Sequence, residues 1–383
     1  LLQMGINDAR VRVWKQQPAA FFREAILDAD GTLARTLGEC KQGMDISYKG
    51  DWGYHPLIVS LANTQEPLVV VNRPGNRPSH EGAAERFDQG IELCLGAGFK
   101  KVLLRGDTDF TQTGELDCWD AHPRVRFLFG IDAMPKLVEQ AENLPEKAWK
   151  PLERPAPYTV ATAPRSQPEN VKERIVRARG FENIRLLSEQ VAEFEYQPGK
   201  CRKSYRLVVV RKNLSVEKGD EVLFDDIRYF FYITNERKLS CDEIVFSAND
   251  RCNQENLIEQ LKNGVRAMSM PVDNLVSNWA YMVMASLAWT LKAWFALLLP
   301  EKGRWAEKHR EQKRTVLRME FKGFLNAFMR LPCQIVRTGR RIVYRLLSWN
   351  SWSEVFFRGV DALREGLKGL HPSRPAPAAA ASG

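Results

Sequence analysis

The sequence predicts an α/β fold: a mixed sheet with an inserted β-rich unit and a helical C-terminal region. Three observations predict it. Two apolar runs, 56–62 and 67–72, are separated only by Asn63-Thr64-Gln65-Glu66. A parallel crossover needs a dozen or more residues, so these runs form an antiparallel hairpin. Between residue 151 and about Cys241, Pro-rich turns and β-type runs at 205–210 and 228–234 replace the alternation of strands and helices. From Asp250 to Leu370 the apolar spacing is helical.

The first strand is the apolar run from Ala25, which leads into Asp28-Ala29-Asp30-Gly31-Thr32 and so ends in acidic residues beside a turn. The 56–62 run is expected to pair with it antiparallel. Ser79 can cap a helix that runs through Phe87, Ile91 and Leu95 and stops at Gly96 and Gly98, although Gly82 leaves the capping box incomplete. The strand 101–104 then delivers Arg105-Gly106-Asp107-Thr108-Asp109-Phe110, and a short link leads to a strand at 125–129. Three strands, a helix, a strand, a link and a strand is the order of a ribonuclease H-like core.

The next helix is expected to start at Asn249 or Asp250 and to stop near Gly264. At about 100° per residue, Glu255 falls roughly 40° and Lys262 roughly 20° from Arg251, so one face carries a carboxylate flanked by two cations. An acid that holds a cation beside side chains that neutralise phosphate needs that pattern, and a solvated face of ion pairs shows it too. The apolar stretch 279–299 approaches membrane-spanning length. Lys292 and its helically spaced Trp and Ser residues make it a buried core helix instead. Trp279, Trp289, Trp294 and Trp305 are read as core residues.

Composition bounds the function. The chain has 383 residues, 44% of them hydrophobic, and a formal charge of +9. About ten positive charges in excess lie in residues 301–383, so the basic region is the C-terminal fifth and the rest is near neutral. There Arg337, Arg340, Arg341 and Arg345 interleave with Ile335, Val336, Ile342, Val343 and Tyr344. This reads as a basic amphipathic helix that contacts DNA, faces solvent or meets a protein. The seven cysteines are scattered and never spaced as a metal-binding pair, which suits a reducing cytoplasm.

The order Arg251, three residues, Glu255, six residues, Lys262 resembles the signature of insertion-sequence DDE transposases. It is similar to the YREK-signature subgroup with a β-rich insertion, with Ala248 where that signature has Tyr. Asp30-Gly31-Thr32 resembles the family's first acidic motif and Arg105-Gly106-Asp107-Thr108-Asp109-Phe110 its second; Tyr54-His55-Pro56-Leu57 and Arg73-Pro74-Gly75-Asn76 add to the likeness. The resemblance implies an enzyme that cuts and joins DNA strands at transposon ends. Asp30, Asp107 and Glu255 would be its catalytic and metal-binding residues, and Arg251 and Lys262 would contact DNA. Asp28 and Asp109, two residues from the proposed ligands, are given supporting roles. Asp30 is preferred to Asp28, and the choice stays open. Three such carboxylates can bridge two Mg²⁺ or Mn²⁺ ions about 3.5–4 Å apart, so no His or Lys base is required.

The partners implied are transposon-end and target DNA, with a homodimer in the DNA complex, no membrane, and a place in the bacterial cytoplasm at the nucleoid. Two rival readings remain. One is a haloacid dehalogenase-like phosphatase with Asp28 as nucleophile, a fold that would need a doubly wound parallel sheet. The other is a catalytically impaired remnant that only binds DNA. The expected organisation is a lead-in at 1–24, cut short before Leu1; a first core part at 25–150; the β-rich insertion at 151–245; core completion with the Glu-bearing helix at 246–299; a basic helical region at 300–370; and a disordered tail at 371–383.

Overall fold

The structure, a computed structural model, describes residues 1–154, 171–219, 221–347 and 350–368. The tail expected at 371–383 lies outside them. Helix α1 (Leu2–Trp14) precedes strand β1 (Ala25–Gly31). A small three-stranded sheet follows, made of β2 (Ala34–Arg35), β3 (Asp45–Ile46) and β4 (Trp52–Tyr54). Next come β5 (Leu57–Leu61), β6 (Glu66–Val71), α2 (Ala83–Ala97), β7 (Val102–Gly106), α3 (Leu116–Ala121) and β8 (Val125–Ile131). The order across the sheet is β6-β5-β1-β7-β8. β5 is antiparallel to both β1 and β6, whereas β1, β7 and β8 run parallel. This is the ribonuclease H-like order. The antiparallel β1–β5 pair is incompatible with the doubly wound sheet of the phosphatase reading.

After α4 (Pro135–Glu142) and β9 (Lys150–Pro151), the insertion contains α5 (Val171–Ala178) and three long strands, β10 (Glu182–Tyr196), β11 (Tyr205–Lys218) and β12 (Glu221–Thr234). β12 pairs antiparallel with β8, so the insertion prolongs the core sheet to nine strands among the described residues.

Period two along β1 divides the sheet into two faces. Leu27 and Ala29 join Phe87, Ile91 and Cys94 of α2 in one apolar cluster. Asp28 and Asp30 point to the other face. There Leu103 and Leu128 pack with Ile244 and Val245 of α6 (Cys241–Asn249), and Ile58 and Val70 pack with Leu257, Ile258 and Leu261. Leu257 and Ile258 belong to α7 (Asn253–Glu259); a 3₁₀ turn at Asp250–Cys252 joins α6 to α7, and a π turn at Gln260–Gly264 carries Leu261. The chain closes with α8 (Leu275–Leu298), α9 (Ala306–Arg318), α10 (Phe321–Phe324), β13 (Cys333–Thr338), β14 (Arg341–Leu346) and α11 (Ser353–Lys368).

Four expectations are corrected. Helix α2 starts at Ala83, because Gly82 with φ of 73° breaks the helical path after Ser79. The α-helix that bears Glu255 begins at Asn253, after the 3₁₀ turn Asp250–Cys252, not at Asn249 or Asp250, and the side-chain-capped start in this stretch is that of α6 at Cys241. Ser240 accepts from the Glu243 N–H and the Glu243 carboxylate accepts from the Ser240 N–H, a complete capping box. Residues 333–346 form an antiparallel hairpin, not a helix. Trp305 is exposed, whereas Trp289 and Trp294 are buried.

Helix α8 is apolar and long enough to cross a membrane by length and composition. Half of its apolar stretch is buried within the protein. Lys292 is buried, donates to the carbonyls of Leu317 and Met319 at 2.7 and 2.8 Å, and lies 3.5 Å from the Trp289 ring centroid. Burial pushes its ammonium down to about 7.

Helix α1 is locked to this core by one carboxylate. Glu66, fully buried, accepts from Arg10 Nε and Trp14 Nε1 at 3.0 Å, from Trp294 Nε1 at 2.7 Å and from Thr64 Oγ1 at 2.6 Å. Removing one member of a buried ion pair strands the other. Glu66→Ala is therefore expected to cost about 3–5 kcal/mol in urea unfolding. A loss below about 1 kcal/mol would show that α1 is not part of the cooperative unit.

Candidate active site

Three elements converge at the C-terminal ends of β1 and β7, on the α6–α7 face. Asp30 is the penultimate residue of β1, Asp107 follows β7, and Arg251 reaches them from the 3₁₀ turn between α6 and α7. Arg251 Nη1 lies 3.6 Å from Asp30 Oδ2, and Nη2 lies 3.7 Å from Asp107 Oδ2. At these lengths the pairs are ionic, without good hydrogen bonds. Arg251 Nη1 is itself buried with no hydrogen-bond partner. Arg251 thus faces the aspartates, whereas the sequence pattern directs it toward phosphate.

Asp28, Asp30's neighbour on the same strand face, is committed elsewhere. It is buried, and Arg105 Nε and Nη2 hold both its oxygens at 2.7 and 2.8 Å. The remaining Arg105 nitrogen, Nη1, donates to the carbonyl of Ser247 in α6 at 2.6 Å. The pair therefore ties β1, β7 and α6 together, and Asp28 has no free oxygen to serve as a nucleophile. Asp107 caps its own loop, accepting from the Asp109 N–H at 3.1 Å.

Electrostatically the cluster has an excess of negative charge. The Asp30 carboxyl is pushed up to about 7, first by burial and then by repulsion from Asp107 and more weakly from Glu255, against the pull of Arg251. Burial also raises Asp107, with Arg251 opposing. Glu255 stands exposed in the first turn of α7, near enough to Asp30 to be felt through space. As arranged, no three acidic, His or Cys side chains among the described residues stand close enough to hold one metal ion. The donors are all carboxylate oxygens, however, and the two half-buried aspartates share one arginine as counter-charge. Both properties suit a hard divalent cation such as Mg²⁺ or Mn²⁺.

A groove runs past the cluster. Asp30, Asp107 and Asp109 share its walls with Lys262, Arg35 and Lys49. Lys262 reaches it although the 3₁₀ and π turns invalidate a uniform 100° per residue. Burial lowers its ammonium while Asp30 and Glu259 support the charge. Arg35 and Lys49 escape a reading of the sequence: they sit on the small sheet β2–β4–β3 and in its turn, a stretch without strong periodicity.

His55 also borders the groove. Its Nδ1 is 2.7 Å from the Arg77 carbonyl, and a Cβ on Gly31 would come within 3.1 Å of its Nε2. Burial holds its imidazole below the ordinary value. Arg73 fixes this corner by donating to the carbonyls of His55, Pro78, Ser79 and Glu81. Only glycine fits at Gly75, where a Cβ would lie 2.3 Å from the Asp45 carbonyl oxygen. On the far side of Asp107 a second groove passes Ala248 and is lined by Tyr229, Phe230 and Tyr232 of β12. An aromatic surface thus stands beside the position where the resembled signature has Tyr.

Comparison with known proteins adds the family. No curated protein matches the chain. A solved structure of a piggyBac transposase synaptic complex with hairpin DNA is similar at 11% identity and a TM-score of 0.39. The similarity covers 81% of this chain and 55% of that one, so this chain spans little more than half the length of its structural relative. The profile of the family described as transposase DDE domain group 1 matches residues 6–366, nearly the entire length, and the chain belongs to that family of DDE transposases.

Proposed function

We propose that this protein is the transposase of an insertion sequence of the YREK-signature kind, and that it cuts and joins DNA strands at the ends of its element. The observation that carries the reading is the convergence of Asp30 and Asp107 from two parallel strands on Arg251, the first residue of the Arg251–Glu255–Lys262 series. Asp30 and Asp107 would hold the divalent cations, Mg²⁺ or Mn²⁺. Glu255, exposed in the first turn of α7, would complete the set. When bound, two such ions supply Lewis-acid activation of the attacking oxygen and stabilisation of the leaving oxygen.

The remaining residues position and bind. Arg251 balances the aspartates' charge in the arrangement seen, and its planar fork suits a phosphate oxygen pair. Lys262, with Arg35 and Lys49, makes the groove attractive to a DNA backbone. Asp28 acts through Arg105, which sets the β1–β7–α6 geometry. Asp109 supports the Asp107 loop through its backbone N–H. The partners would be the element's ends and target DNA, with two copies of the chain acting together.

The test uses the full chain and linear DNA carrying the sequences that flank its own reading frame. Strand breaks at the element's ends are expected with Mg²⁺ or Mn²⁺ and none with EDTA. End-specific binding without any cation-dependent break would leave the DNA-binding remnant as the correct reading.

A further inference from the structure

The hairpin β13–β14 is separate from the large sheet. Among the described residues its strands pair only with each other, from Cys333↔Leu346 to Thr338↔Arg341, around a turn at Gly339 and Arg340. Both faces are open: Ile335, Ile342 and Tyr344 are each more than half exposed, and Val343 is exposed as well. A lone two-stranded hairpin is marginal in water, and this one has little of the core to lean on.

Its charge is one-sided. Residues 321–353 contain six Lys and Arg and no Asp or Glu. Arg337, Arg340, Arg341 and Arg345 are all exposed, and none has a side-chain ion pair or hydrogen bond among the described residues. The register distributes them. Arg337 shares a face with Ile335, Ile342 and Tyr344; Arg341 and Arg345 lie on the opposite face; Arg340 is at the tip.

We infer that this hairpin is a DNA-binding ribbon that lies in a groove of duplex DNA, a second binding surface beyond the catalytic groove. The inference rests on the transposase reading and adds to it. An element lying on a lipid surface gathers its cations on one side and its apolar groups on the other. Here cations occupy both faces and the tip, which matches a ribbon flanked by phosphate backbones on either side. A two-stranded ribbon fits the major groove, and guanidinium forks pair with phosphates and with guanine edges.

The experiment is fluorescence anisotropy of the full chain with a labelled duplex across a salt series. It compares the parent with the combined variant Arg337→Gln, Arg341→Gln and Arg345→Gln, and with the same three positions changed to Lys. The Gln variant is expected to bind about 10–100-fold more weakly near physiological salt, with a salt slope smaller by roughly 0.9 for each phosphate it no longer neutralises. The Lys variant is expected to keep most of the slope. If the Gln variant loses the parent's unfolding transition, Arg340→Gln at the exposed tip carries the test, with a slope smaller by about one.

A parent that binds duplex while the Gln variant keeps its slope overturns the hairpin inference alone. A parent with no salt-dependent binding overturns the transposase reading together with it. Tighter binding of the parent to phosphatidylserine vesicles than to duplex, abolished in the Gln variant, would overturn the assignment to DNA.

Discussion

Asp30→Asn is expected to stop strand cleavage and, with EDTA present, to leave the protein more stable than the parent at pH 8. The first effect follows from removing a charge proposed to hold the cation. Charge stabilisation of that kind is worth several kcal/mol in the transition state, so a loss of about 10³-fold or more is expected. The second follows from the carboxyl's position. Burial and the nearby Asp107 raise it from its ordinary value to about 7. Below about pH 4 the group is protonated in folded and unfolded chains alike and carries no penalty. As pH rises through the window from about 4 to 7, the unfolded chain ionises it readily and the folded chain resists, so the parent loses stability until the folded carboxyl has titrated. Asparagine has no such window. The unfolding free energy of the variant should therefore match the parent's near pH 4 and exceed it at pH 8, by an amount on the order of a few kcal/mol at most, because Arg251 gives up an ion-pair partner in the exchange; thermal melts across that pH range read the difference. Parent-like cleavage, or a variant whose advantage shrinks as pH rises, would refute the assignment.

Much of this site is legible in the sequence because its strands carry a strict period. Four residues between two apolar runs leave no room for a crossover, and the structure shows the expected hairpin of β5 and β6. Period two places Asp28 and Asp30 on one strand face, and both do face α6 and α7. What separates them is not visible in the sequence, because it depends on Arg105 standing beside Asp28 across the parallel β1–β7 pair. The same holds for Arg251, whose turn toward the aspartates depends on the 3₁₀ segment before α7.

Other parts are misread where a local signal is passed over. Ser240 and Glu243 carry a capping box just ahead of Ile244 and Val245, the strongest start signal in that stretch. In the basic region, Gly339 divides two short runs of β-branched and aromatic residues. With φ of 49° it makes the turn that converts the expected helix into β13 and β14. Arg35 and Lys49 reach the groove from short strands and turns, whose positions are set by tertiary packing such as the close pass at Gly75.

Glu255→Gln is expected to lower cleavage by orders of magnitude, whereas Glu259→Gln, one turn further on, leaves it near the parent rate. The packing of the helix argues for this difference. Leu257, Ile258 and Leu261 are buried against Ile58 and Val70, which fixes the rotation of α7 on the sheet. With that rotation Glu255 raises the Asp30 carboxyl, so the two lie on the same side. Glu259 instead accepts from Asn263 Nδ2 at 2.6 Å and lines a different groove, with Asn253, Asn256 and Arg314. Glutamine keeps the volume of Glu255 and removes the charge, so folding should be spared. Since Glu255 adds to the repulsion on Asp30, stability without metal should be unchanged or slightly higher. Terbium luminescence gives a readout independent of catalysis: binding of the ion should weaken in Glu255→Gln and persist in Glu259→Gln. Should Glu259→Gln be the variant that loses both ion binding and cleavage, the helix would present a different carboxylate to the aspartates and the proposed set of three would be wrong.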